Sequence, residues 1–275
     1  MNIIDQFIFS YSRNIPNKII DYLNKLYMIV HKIKCFILYK NTDMFNYITI
    51  ELDRNCNRKC NYCPKSIYKD NGKISFFNKN NFLNLIKQLK KINYKGRVIL
   101  SGYCEPLMNE NLKEFILIIK KNLPKVKIII YTNGDYINNK FSNFLKNNLI
   151  NLIVTFHKPN STNNIKNIRN KFINYNRVIF RKNFENSYLS TRGGIVSIKK
   201  KEIKKICITP LVNLTIDYKG NVIICSHDFF SNNSFGNLKN KNIIDIWNLK
   251  KYKLIRKNLS KGIFKNEICK YCTKK

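Results

Sequence analysis

Five short apolar runs, separated by stretches of helical periodicity, constrain this chain's fold more than any other feature. Tyr47–Asp53 alternates apolar and polar residues, whereas Arg97–Ser101, Lys127–Tyr131, Leu152–Phe156 and Arg177–Phe180 are nearly continuous apolar segments. The intervening stretches, about residues 80–91, 111–122, 136–147 and 165–173, carry apolar residues at helical spacing. Strands alternating with helices of this length form βα units, and strands apolar on both faces belong to a parallel sheet covered on both sides. The fold class is therefore α/β. In such sheets function gathers at the carboxyl ends of the strands, which directs attention to the turns after Asp53, Ser101, Tyr131 and Phe156.

The two ends of the chain read differently. Residues 1–45 form a basic, helical leader, within which Leu26–Tyr39 is an amphipathic helix. His31, Lys32 and Lys34 interrupt its apolar run, which is too short for a membrane span. Its expected role is to pack against the main domain rather than to lie on a membrane surface. From Cys207 onward, Leu211–Asp217 and Asn221–Cys225 read as a hairpin turned by Tyr218-Lys219-Gly220. A helix around residues 243–258 and a final cysteine pair follow. A module of this size is small for a core of its own, and a cluster held by its cysteines would supply the missing constraint. The expected organisation is a leader at 1–45, a core at 46–205 and a C-terminal module at 206–275.

The formal charge of +35 would ordinarily suggest a polyanionic partner. Lys, Asn and Ile are nevertheless overused from end to end, as an AT-rich genome would produce, and the cations do not gather in one stripe. This argues against nucleic acid. The opening residues lack the pattern of a secretory signal, so nine cysteines are expected to stay reduced in a cytoplasmic setting, where grouped thiols favour metal over disulfides.

Seven of the nine form two groups. Cys56, Cys60 and Cys63 are spaced C-x3-C-x2-C in a loop leaving the first strand, with no fourth cysteine or histidine nearby. Three thiolates on a four-iron cube leave one iron open, whereas structural zinc wants four ligands. A zinc site completed from afar is the alternative. Cys207, Cys225, Cys269 and Cys272 are spaced C-x17-C-x43-C-x2-C, which suits a fully ligated 4Fe–4S cluster or a four-cysteine zinc site alike.

With Tyr62 before its last cysteine, the triplet resembles the signature of the radical S-adenosylmethionine superfamily. The resemblance implies a partial (β/α)6 barrel and an open iron that chelates the methionine end of S-adenosylmethionine. It further implies reductive cleavage to a 5′-deoxyadenosyl radical, fed by a reductant such as flavodoxin or ferredoxin, with Tyr62 near the adenine. Ser101-Gly102-Tyr103-Cys104-Glu105-Pro106 looks like the family's Gly-Gly-Glu-Pro turn, in which Gly102 and Glu105 would hold the methionine ammonium. Tyr103-Cys104 departs from the usual glycines, and packing is the ordinary role for a thiol such as Cys104 or the leader's Cys35. Thr132 and Asn133, in Tyr131-Thr132-Asn133-Gly134, resemble the family's turn beside the cofactor, and Thr155 matches a hydroxyl toward the ribose.

The second cysteine group and its surroundings, including Phe235-Gly236-Asn237, Ile246-Trp247 and Arg256, resemble the SPASM/twitch extension in its single-cluster form. The layout is similar to that of 2-deoxy-scyllo-inosamine dehydrogenase-like enzymes, which oxidise a secondary alcohol of an aminocyclitol. A saturated auxiliary cluster cannot bind substrate at iron, yet it can accept the second electron of such an oxidation. The accompanying proton needs an acceptor. His157, in Phe156-His157-Lys158-Pro159, is the candidate base. Arg192, in Thr191-Arg192-Gly193-Gly194, is a poor base and is expected to orient substrate; His227 is expected to shape the second cluster's surroundings. Radical modification of a peptide side chain is the alternative, and a zinc-dependent nucleic-acid-binding protein ranks below both.

Overall fold

In the computed structural model, which describes residues 17–68, 76–157, 162–182, 191–197 and 206–273, β1 (Tyr47–Ile50) lies in mid-sheet. On one side it pairs in parallel with β2 (Arg97–Leu100), followed in turn by β3 (Lys127–Thr132), β4 (Asn151–Phe156) and β5 (Val178–Lys182). On its other side β1 pairs, again in parallel, with β6 (Asn213–Ile216), Tyr47 opposite Asn213. The antiparallel strands β7 (Asn221–Ile223) and β8 (Ser234–Asn237) complete the sheet. Six strands thus run parallel as a partial (β/α)6 barrel. The hairpin expected to be a separate unit instead extends the main sheet. Residues 1–16 of the leader and 198–205, before the expected boundary, lie outside the described residues.

The two faces of the sheet differ in chemistry because successive side chains alternate. Ile48, Val98, Ile128 and Leu152 point outward into the larger core, which α3 (Lys79–Lys91), α4 (Leu112–Asn122), α5 (Asn139–Asn147) and α6 (Thr162–Asn170) cover, while the short α7 (Thr209–Val212) leads into β6. Phe82 of α3 stacks on Phe115 of α4 with ring centroids 4.0 Å apart. The start of α3 is secured by the Asn78 side chain, which accepts the Asn81 N–H at 3.1 Å. The inner face carries Tyr47, Ile99, Ile129, Ile153 and Val212 near the amino ends. Further along each strand, Thr49, Tyr131, Thr155, Arg181 and Asn213 border a cavity. Apolar filling below and polar groups above define where ligands can enter.

The helix expected around 243–258 is two helices. Leu249 (φ −54°, ψ 131°) is extended between α8 (Ile243–Asn248) and α9 (Lys250–Ser260). The corner is tied by Arg256, whose guanidinium stacks 3.8 Å from the Trp247 ring, donates to Trp247 O at 2.8 Å and pairs with Asp43 at 3.0 Å. Trp247 Nε1–H donates to Asp43 O at 3.0 Å, so the C-terminal module grips the segment that enters β1.

The leader helix, α1 (Asn17–Tyr39), extends well upstream of the expected start. It meets the body through Cys35, whose thiol lies 3.4 Å from Met44 O, Lys34, which donates to Asn46 Oδ1 at 3.0 Å, and Tyr39, whose hydroxyl accepts the Lys95 N–H at 2.9 Å. Met44, Asn46 and Lys95 all precede strands, so α1 sits at the amino end of the barrel. The expected packing covers one face only; the opposite face is exposed. No described helix is long and apolar enough to cross a membrane.

Candidate active site

The loop after β1 owes its shape to two acids, the buried Asp53 and the exposed Asp135. Asp53 Oδ1 accepts the Asn55 N–H at 2.6 Å and its Oδ2 accepts Asn109 Nδ2–H at 2.5 Å. Glu105 N–H donates to Asn55 O at 2.7 Å, tying the loop to the turn after β2. Arg58 Nε–H and Asn57 Nδ2–H each donate to Asp135 Oδ2 at 2.7 Å, tying it to the turn after β3. The loop closes at Cys63, from which Pro64 starts the short helix α2 (Pro64–Ile67) with its ring at a position that needs no donor.

Cys56, Cys60 and Cys63 thereby line one cavity of about 570 Å³. Burial raises the pKa of the Cys56 and Cys63 thiols, and Cys60 raises both further through its charge. Thiols raised in this way stay protonated until a bound metal centre displaces their protons. An all-sulfur donor set of three suits an iron–sulfur cluster that keeps one position open. Among the described residues, no three His, Cys, Asp or Glu side chains close on a single metal ion.

Gly102 and Glu105 occupy the turn after β2. A Cβ on Gly102 would stand 2.4 Å from Glu51 Cγ, so only glycine lets the buried Glu51 side chain pass beneath the turn. Glu51 Oε1 accepts the Tyr103 N–H at 2.8 Å, and burial pushes its carboxyl up to about 7 in spite of Arg54 nearby. Glu105 is the buckle between two turns. It accepts Thr132 Oγ1–H at 2.6 Å, Asn133 N–H at 2.7 Å and Leu107 N–H at 3.1 Å, and burial pushes its carboxyl up to about 7 as well. Asn133 Nδ2–H reaches Asn57 Oδ1 at 2.8 Å, next to Cys56. Of the expected cofactor residues, Glu105, Thr132 and Asn133 form one hydrogen-bonded unit beside the thiol loop, with Thr132 acting on Glu105 and on the Gly134 N–H at 3.0 Å, while Gly102, Tyr62 and Thr155 stand outside it.

Across the cavity, the hydroxyl of Tyr62 is hydrogen-bonded to Nδ1 of His157, the rings 5.9 Å apart. Burial, with help from the charge of Arg58, lowers His157 to about 4, leaving a neutral imidazole at physiological pH. Thr155 lines the same wall. Arg192 projects from a left-handed residue (φ 49°) followed by Gly193 (φ 70°) and Gly194 (φ 97°). The turn lies against α10 (Glu267–Thr273): a Cβ on Gly194 would stand 2.7 Å from the Tyr271 ring, and Thr191 Oγ1–H donates to Tyr271 O at 3.2 Å. The helix that carries Cys269 and Cys272 thus sets where Arg192 stands.

The second thiol group is assembled from three elements. Cys207 is anchored by its N–H to Leu259 O at 3.0 Å, Cys225 follows β7, and Cys269 and Cys272 lie on α10. Burial, then the charge of Cys207, raises both Cys225 and Cys269, the latter to about 12. Four half-buried thiols are the complete donor set of a fully ligated iron–sulfur cluster. His227 Nδ1 lies 3.2 Å from Cys272 Sγ, and Ser226 and His227 both border the cavity, so the second thiol group stands behind a wall of the space that the first group lines.

Several lining residues were not legible from motifs. Tyr103 lies between the groups, within electrostatic reach of both Cys63 and Cys225. Arg58 was hidden inside the signature. Arg181 follows Ile179 on the inward face of β5, and period-2 alternation carried one residue past Phe180 would have found it.

Comparison with known proteins agrees with this geometry. The family model described as Radical SAM superfamily matches residues 50–187, and the SPASM model, described as an iron–sulfur cluster-binding domain, matches residues 207–273. The chain is 28% identical to S-adenosyl-L-methionine-dependent 2-deoxy-scyllo-inosamine dehydrogenase of Niallia circulans, covering 83% of this chain and 93% of that protein. It is 27% identical to the radical SAM cyclopropyl synthase TigE of Paramaledivibacter caminithermalis over 62% of this chain, spanning about 45% of that longer protein. Among solved structures, BtrN in complex with AdoMet and 2-DOIA superposes with a TM-score of 0.74 at 29% identity, covering 82% of this chain and 92% of BtrN. The structure of anSMEcpe with bound AdoMet, at 14% identity and a TM-score of 0.59, shares the fold.

Proposed function

The chain belongs to the radical SAM superfamily and carries a SPASM iron–sulfur domain, and from that premise we propose that it oxidises a secondary alcohol of a sugar- or cyclitol-like molecule to a ketone. The observation that supports this most is that the thiol triad lines a cavity with His157 and Arg192 in its walls, and that His227, in the same lining, touches Cys272 of the thiol tetrad. In this reading residues 46–205 form the radical core and 206–275 the auxiliary module.

Converting an alcohol to a ketone removes two electrons and two protons. When bound, the first cluster and S-adenosylmethionine supply the radical that takes the carbon-bound hydrogen atom, and the second cluster offers a place for the remaining electron. The chain's own residues do the rest. Cys56, Cys60 and Cys63 hold the first cluster; Cys207, Cys225, Cys269 and Cys272 hold the second. Glu105, Thr132, Asn133 and Gly102 shape the pocket for the methionine end, while Tyr62 and Thr155 border the nucleoside side. The hydroxyl proton leaves to neutral His157, which Tyr62 orients through Nδ1. Arg192, a permanent cation, orients the substrate oxygen. A flavodoxin- or ferredoxin-like reductant and a reducing, cytoplasmic setting suit the nine unbridged cysteines.

The test is anaerobic reconstitution followed by turnover. About eight irons per chain, as two four-iron clusters require, and release of 5′-deoxyadenosine with S-adenosylmethionine and reductant are expected. Cys60→Ala should abolish that release. An aminocyclitol or sugar deuterated at its carbinol carbon should pass deuterium into 5′-deoxyadenosine and give a ketone. Zinc without labile sulfide would overturn the enzymatic assignment. Deuterium transfer from a peptide but from no polyol would overturn the substrate class.

A further inference from the structure

The exposed face of α1 is the largest feature of the molecule that the proposed chemistry leaves unused. Ile19, Tyr22, Leu26, Ile29, Ile33 and Phe36 recur at spacings of three and four and are all exposed, Ile29 and Ile33 by 58% and 56%. Val30 and Ile37, exposed too, widen the stripe, and a shallow apolar groove runs between Val30, Ile33, Ile37 and Leu38. A soluble surface seldom leaves so many large apolar side chains contiguous unless something covers them. The family match begins only at residue 50, so the radical chemistry does not account for this helix.

Charge decides among possible covers. Lys25, Lys32 and Lys40 rim the stripe and are exposed, with Lys40 Nζ 5.7 Å from the Phe36 ring. Asp21, the helix's sole acidic residue, is buried. A three-and-four spacing would also suit a paired helix, but a second copy would bring together two chains of formal charge +35, lysine-edged at the seam. An apolar stripe widened beyond a two-helix seam and edged by lysines instead matches an anionic lipid surface, where such helices lie in the headgroup plane. Over its described residues the helix is not long and apolar enough to cross a bilayer. Its attachment at the amino end of the barrel also leaves the cavity, at the carboxyl ends, facing away from the bilayer.

We propose that α1 docks the protein on anionic membrane surfaces by its Ile19–Ile37 face. The test is co-sedimentation of the full reconstituted chain with vesicles of phosphatidylcholine alone or mixed with phosphatidylglycerol. Binding to the mixed vesicles is expected to be roughly tenfold tighter, to weaken roughly fivefold for each of Lys25→Gln and Lys32→Gln, and to fade in about 1 M salt. The neutral double variant Ile29→Asn/Ile33→Asn should lose binding while retaining full 5′-deoxyadenosine release and the parent melting temperature, since both side chains are exposed. Undiminished binding by that variant would overturn the proposal, because net charge alone would then explain attachment. Absence of vesicle binding would overturn it as well, whether the chain is monomeric or forms a dimer that the same variant dissociates.

Discussion

Tyr62 and His157 share a hydrogen bond between the phenol oxygen and imidazole Nδ1, joining the residue ahead of the last triad cysteine to the end of β4. This contact crosses the cavity that also holds Arg192 and the carboxyl-end polar groups. It fixes the ring of His157 and leaves Nε2 as the nitrogen available to a ligand.

Because burial lowers His157 to about 4, it is neutral throughout the range from pH 5.5 to 8.5 in which activity would be measured. No limb of the rate profile near 6.5 should belong to it. Ketone formation by His157→Gln is expected to fall about a hundredfold, with Tyr62→Phe less affected. A limb near pH 6.5 that disappears in His157→Gln would show that the imidazole titrates, contrary to this environment.

Glu51 predicts an opposite dependence in stability. Its carboxyl is raised from 4.5 to about 7 by burial. The folded chain therefore keeps a proton at pH values where the unfolded chain has lost it. Stability should fall as pH rises from about 4.5 to about 7 and level off above, a loss on the order of 3 kcal/mol. Urea unfolding of the parent and Glu51→Gln across this window isolates the contribution as the difference between the two slopes. Parallel slopes would mean that Glu51 is ionised in the fold.

Gly102→Ala tests the close passage beneath the turn after β2. The new Cβ would meet Glu51 Cγ at 2.4 Å and Oε1 at 2.8 Å, and the Glu51 side chain is buried, with no room to yield. A cost of about 1–3 kcal/mol in unfolding is expected, together with weaker S-adenosylmethionine binding by calorimetry. Parent-like values for both would remove Gly102 from the pocket's construction.

Cys269→Ala separates the two thiol groups. Cys56, Cys60 and Cys63 lie on the loop after β1 and not on α10, so 5′-deoxyadenosine release should persist near the parent rate while ketone formation stops. Iron content should drop by about four per chain. Ketone produced at the parent rate would refute an electron-accepting role for the auxiliary site.

Arg256→Ala removes a guanidinium that stacks on Trp247 and Tyr252 and pairs with Asp43. Asp43 is half-exposed and can return to water, so the cost should come mainly from lost stacking and the unmet Trp247 carbonyl, about 2–3 kcal/mol by thermal or urea unfolding. Arg256→Lys should recover little of it, because an ammonium cannot stack or fork in the same way.

Much of this protein could be read from local pattern. Four of the five core strands fall within one or two residues of their apolar runs, and β1 starts with its run but ends three residues before Asp53, because burial on both faces imposes a signal that needs no partner to be visible. Both cysteine groups were legible for a similar reason: ligands drawn from one loop, or flanking one hairpin and one terminal helix, leave their spacing in the sequence. β8 was missed because it is short and polar, and the continuous helix expected after it breaks at Leu249, where nothing in the residue itself demands extension.

Taken alone, the chain determines its α/β class, its two thiol groups and the turns that carry Gly102, Glu105, Thr132 and Asn133. Only the tertiary structure decides that β6 pairs with β1, and so that the C-terminal module joins the barrel and brings His227, which touches Cys272, to the same cavity as Cys63. The same holds for the bond from Tyr62 to His157, the α10 helix against which Arg192 is presented, and the apolar face that α1 keeps in the open. Spacing along a chain reports ligands and periods, which are local. Convergence of residues a hundred positions apart depends on strand order and register, which no single segment encodes.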